Sequence, residues 1–179
     1  MNLLKRKIFI FFIFVIFIFI ESISFATYIN ANETKIKSEE EINQIIGTTE
    51  VCLTSEEQEV LNLINEYRME NGLSELKPAN KLQEVADLKA KDLVENKYFS
   101  HVSENLGTPF EMLKSNNIDY SVAGENLAGN INSSKAVEAW INSPTHKANI
   151  LDEEFKYTGI SVVESPVYGK VFVQIFVDI

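Results

Sequence analysis

Hydrophobic and polar residues divide this chain into stretches of different period. Ile8 to Ile20 is apolar without a break. From Thr54 onward apolar residues instead recur three and four apart: Val60, Leu63, Ile64 and Tyr67; then Leu82, Val85, Ala86, Ala90 and Leu93; later Ala136, Val137, Trp140 and Ile141. That spacing lines one face of an α-helix, so each group predicts a helix with a buried stripe. Phe110, Met112 and Leu113 predict a shorter one. Near the end, Tyr157 to Val163 and Lys170 to Val177 are rich in β-branched and aromatic residues, and Ser165-Pro166-Val167-Tyr168-Gly169 between them predicts the turn of a hairpin. Both runs are apolar on both faces, so helices are expected to cover the sheet from each side. The fold class is therefore α/β (α+β), a three-layer α-β-α sandwich.

Capping residues sharpen the boundaries. Thr54 with Glu57 forms a capping box, and Asn71-Gly72 supplies the stop. The second helix begins near Asn80 and fades by Asn96; Thr108, Pro109 and Glu111 start the third, which runs to about Asn116. Ser133 or Ser134 opens the fourth. Ser143 is a good N-cap with Pro144 at the first helical position, which puts His146 on the first turn, where the helix dipole disfavours an imidazolium. A neutral His146 is expected. The glycines of Ala123-Gly124-Glu125-Asn126-Leu127-Ala128-Gly129 predict a tight turn or short edge strand. Residues 27–53 are rich in Asn, Glu, Lys and Thr and read as a disordered linker, with Ile42, Ile45 and Ile46 forming at most one amphipathic turn.

Residues 1–26 carry Lys5-Arg6-Lys7, the apolar run, and Ser24-Phe25-Ala26 with small residues where a signal peptidase needs them. This predicts a cleavable signal peptide, with an uncleaved membrane anchor as the alternative, and leaves residues 54–179 as the domain. The net charge is −10 over all 179 residues, and losing the basic leader makes it more negative. An acidic surface without a basic patch excludes nucleic-acid partners, and the membrane enters only through the N-terminal segment. Cys52 is the single cysteine, so no intrachain disulfide can form and the core must hold the fold. The residues before it, Thr49-Glu50-Val51, do not suit lipid attachment.

His101, Glu125 and His146 are the residues able to carry chemistry. Histidines with a carboxylate can bind zinc, or act as an oriented base. Their separations match no short metal motif, and structural roles for His101 and Glu125 stay open. Ser103 is a formal nucleophile near His101, but no nucleophile elbow, phosphate loop or dinucleotide fingerprint is present.

The order Asn65-x-x-Arg68, Phe99-Ser100-His101, Ala123-Gly124-Glu125-Asn126-Leu127-Ala128, Trp140-x-x-Ser143-Pro144-x-His146-x-x-Asn149-Ile150-Leu151 and a terminal hairpin resembles the CAP superfamily, or SCP domain, in its bacterial form. The resemblance implies an extracellular α-β-α sandwich whose cleft, in many members, is lined by two histidines and two acids able to hold a divalent metal. His101 and Glu125 match the first histidine and the Gly-Glu-Asn glutamate. Ser143 stands where the second acid is found and Tyr157-Thr158 where the second histidine is found, so His146 would have to supply the missing ligand for Zn2+ or another divalent metal. Asn126, Ser143, Trp140 and Asn149 are expected to support the cleft. The resulting expectation is a secreted or envelope-associated, non-enzymatic binding module for a small-molecule, peptide or envelope ligand. The rivals are a metal-assisted, peptidase-like hydrolase with Glu125 as base, and lipid or sterol binding, a role proposed for some family members.

Overall fold

The computed structural model describes residues 27–47 and 51–179, so the leader expected over 1–26 lies outside the described residues. The chain forms two compact units, Met1–Glu41 and Ile42–Ile179. The first is described only over 27–41, all helical, with an i,i+4 pair of Lys35 and Glu39. Helix α1 spans 27–46, so where a disordered linker is expected the backbone is regular. It contains no Gly or Pro to break a helix. Ile42, Ile45 and Ile46 belong to the second unit and pack within its core, with Ile46 fully buried.

In the second unit α2 (Ser55–Glu70) and α4 (Pro109–Ser115) fall where their caps predict, and α3 (Asn80–Glu95) where its apolar period does. Both capping boxes close, with Thr54 and Thr108 each accepting from the third helical N–H. Glu57 in the first box is itself buried, and its other carboxylate oxygen accepts from Val162 N–H at 3.4 Å. The fourth predicted helix is two: α5 (Ser133–Asn142) and α6 (Pro144–Ile150), joined at Ser143. Ser143 serves both ends with its backbone, while its hydroxyl pairs with Thr145 Oγ1 and makes no cap bond.

The sheet runs β1 (Lys77–Pro78), β3 (Tyr157–Ser165), β4 (Gly169–Asp178), β2 (Val122–Asn130). The stretch expected as a turn or short edge strand is a nine-residue edge strand, antiparallel to β4 with Glu125 opposite Ile175. Beyond two-residue β1, Gln83 of α3 becomes β3's partner: its amide donates to Ile160 O at 2.5 Å and accepts from Ile160 N–H at 3.1 Å. Along β4 the pleat sorts the core. Val171, Val173, Ile175 and Val177 meet α3 and α4, whereas Phe172 and Phe176 meet α2, α5 and α6. Apolar residues on both faces thus place helices on both faces, giving the three-layer sandwich. Among the described residues no helix is long and apolar enough to cross a membrane, and Cys52 is exposed.

Candidate functional site

Because β2 is an edge strand, side chains from both helical layers can reach it. Glu125 shares the face of Ile175 and is buried beneath the loop that follows α3. His101, on that loop, places Nδ1 2.6 Å from Glu125 Oε1; the glutamate side chain is 2% exposed and the histidine 54%. A carboxylate only accepts, so Nδ1 carries the proton and Nε2 is left for other partners. The hydrogen bond to Glu125 is the main reason the ring titrates above its ordinary value of 6.5; burial and the charge of Lys89 oppose the shift. Glu125 Oε2 is enclosed and has no hydrogen-bond partner.

On the opposite face Asn126 is fully buried and donates to His146 O at 3.1 Å, and Asn149 donates to Asn126 Oδ1 at 2.9 Å and to Glu125 O at 3.2 Å. These bonds tie α6 to β2. Trp140 is a core residue, not a cleft wall: it is 1% exposed, and its indole N–H donates to Leu127 O at 3.0 Å. Together Trp140 and Asn149 cap two carbonyls of the edge strand, which would otherwise invite another chain. His146 is half-buried, and its pKa is lowered by burial and then by the charge of His101, so it is neutral at neutral pH. The direction is that expected; the causes are burial and a neighbouring histidine.

A buried polar cluster underlies His101. Lys89 is fully buried on α3 and donates to Tyr98 OH at 3.2 Å, Ser100 O at 2.9 Å and His101 O at 3.1 Å. Burial lowers its pKa, against the charges of Glu125 and Asp92. Asp92 accepts from Tyr98 OH, Ser103 Oγ, Asn96 and Asn105. Burial opposes its ionisation, yet these donors hold it below the usual carboxylate range. Burial first and Asp92 second push Tyr98 up to about 12. Ser103 is corrected as a nucleophile candidate: it is 3% exposed, and its hydroxyl donates to Asp92 while accepting from Asn105 and Leu106 N–H.

A family model for the cysteine-rich secretory protein family, CAP, matches residues 61–176. The chain belongs to the CAP family. It is 38% identical over 122 residues to the uncharacterized protein YkwD of Bacillus subtilis, covering 68% of this chain and 46% of that protein. An extracellular SCP-domain protein from Bacillus anthracis superposes with a TM-score of 0.65 at 29% identity, covering 73% of this chain and 45% of that one. An outer surface protein of Borrelia burgdorferi superposes with a TM-score of 0.64 at 26% identity, over 71% and 96%. The chain thus spans less than half the length of its Bacillus relatives.

In this CAP domain the Asn65-x-x-Arg68 motif is architectural. The Asn65 amide pairs with both backbone groups of Leu76. Arg68, 1% exposed, donates to the carbonyls of Ser74, Ile150, Asp152 and Phe155, binding α2 to the C-terminal end of α6 and the approach to β3. At the family positions where the second histidine and acid are missing, Thr158 is buried and donates to Ile175 O, and Ser143 carries no charge. Among the described residues no group of three or more His, Cys, Asp or Glu is placed to hold a metal ion. Nδ1 of His101 is bonded to Glu125, which orients the ring and leaves Nε2 as its outward atom. Lys89, Asp92 and Tyr98 were not singled out from sequence. The available signal was position: Lys89 lies three residues after Ala86 and four before Leu93, inside the apolar stripe of α3.

Proposed function

We propose that this CAP domain is an extracellular or envelope-associated binding module, and that the His101–Glu125 pair with His146 forms its recognition site. The supporting observation is the 2.6 Å contact between a buried carboxylate and a half-exposed imidazole. A charge fixed from below gives His101 a preset orientation, and its outward Nε2, a donor when the ring is protonated, suits an acceptor such as a peptide carbonyl or carboxylate. Neutral His146 offers a second, uncharged contact. Ser103, the formal nucleophile candidate near His101, is bonded to Asp92 instead. The extracellular and outer-surface descriptions of the two solved relatives support the location.

The full chain is tested against an array of synthetic peptides, including envelope-derived ones. We expect binders whose affinity falls at least about tenfold in His101→Ala and Glu125→Gln, the loss of one charge-assisted hydrogen bond. The same array carried out with added zinc separates the rival: peptide cleavage that Glu125→Gln abolishes would replace recognition with metal-assisted hydrolysis.

A further inference from the structure

The geometry points to Lys89 as the residue that positions His101 against Glu125, a role that rests on that pair being the recognition site. Lys89 sits in a stripe of α3 made mostly of apolar residues, Leu82, Val85, Ala86, Ala90 and Leu93, and is 0% exposed. Methionine or leucine would fill that place and need no partners, whereas an ammonium must be matched by acceptors when it leaves water. Lys89 has three N–H donors and three acceptors, and two of the three are the carbonyls of Ser100 and His101, the backbone that presents the imidazole. The third, Tyr98 OH, is held in turn by Asp92.

Lys89 also balances charge. Glu125 and Asp92 are both buried and both act on it. Glu125 Oε2 has no hydrogen-bond donor, and the charges of Glu125 and Lys89 act on each other. Anchoring and compensation coincide in one side chain: the loop carbonyls are held toward α3 by the same ammonium whose charge offsets that of the Glu125 carboxylate.

The test uses NMR of the isotopically labelled full chain without any ligand, so it stands apart from the success or failure of the peptide array. In the wild type the His101 Nδ1–H proton, bonded to a carboxylate, resonates far downfield, and the Lys89 ammonium protons exchange slowly. In Lys89→Met the downfield resonance is lost or moves upfield, and the amides of residues 100–102 exchange at least about tenfold faster, as in local opening. Amides of α2 and α5 keep their protection. Should Lys89→Met not fold, Lys89→Met with Asp92→Asn removes one charge of each sign and gives the same readout. An unchanged ring resonance in either folded variant overturns the role, as do wild-type Lys89 ammonium protons that exchange as fast as those of exposed lysines.

Discussion

Glu125 and His101 illustrate how much a single residue's surroundings decide. The imidazole gains a hydrogen bond to Glu125 in the folded state and is held above its ordinary value of 6.5. A raised folded value means the pair contributes its stability fully below the unfolded value and loses it as pH rises through the folded one. The stability difference between wild type and His101→Gln, measured by urea unfolding, is therefore expected to shrink from pH 6 toward pH 9; a difference that grows would contradict the pairing. His101 and Glu125 were legible in the sequence because a chain with only two histidines gives few candidates. Lys89 and Asp92 were not. Their positions carry helical period, and a stripe read for apolar residues hides the polar ones that share its face. The same holds for Arg68, visible as a motif but not as a clamp on four carbonyls.

Gly159 shows what an element demands of its neighbour. It lies in mid-strand on β3, where a Cβ would come within 2.1 Å of Leu82 O and 2.2 Å of Leu82 C, so the backbone of α3 rests directly on the strand. Neither atom belongs to a side chain that could swing away. Gly159→Ala is expected to cost at least the upper end of the overpacking range, about 3 kcal/mol, read as a lowered urea midpoint with unchanged slope. A midpoint equal to wild type would mean α3 is free to lift. Helices α2 and α4 were legible from their capping boxes and α3 from its apolar period. Helix α1 was missed because only its last turn has an apolar period and the rest is polar. Strand β2 was underread because its glycines suggest a turn, although the partner β4 supplies pairing over its whole length. Strand β1, with two residues, leaves no pattern to read.

Across the whole molecule, the two apolar layers on either side of one sheet do the work that cross-links do in smaller secreted folds. The family's name stresses cysteines, yet this chain holds one, exposed and outside the sheet. The midpoint of thermal unfolding is accordingly expected to be the same with and without a thiol reductant. A reductant-dependent midpoint would reveal pairing between chains through Cys52. The three-layer order was legible from a single observation, apolar residues on both faces of the hairpin strands. What sequence could not supply was the third dimension of the site, since the Lys89 ammonium and the His101 carbonyl meet across twelve residues of chain.

Trp140, the chain's single tryptophan, is sealed in the core with its N–H on Leu127 O, two residues along β2 from Glu125. The molecule therefore contains a built-in optical probe. Its intrinsic emission reports on one defined junction between α5 and the strand that carries the buried carboxylate, so loss of packing there can be followed by fluorescence without any label.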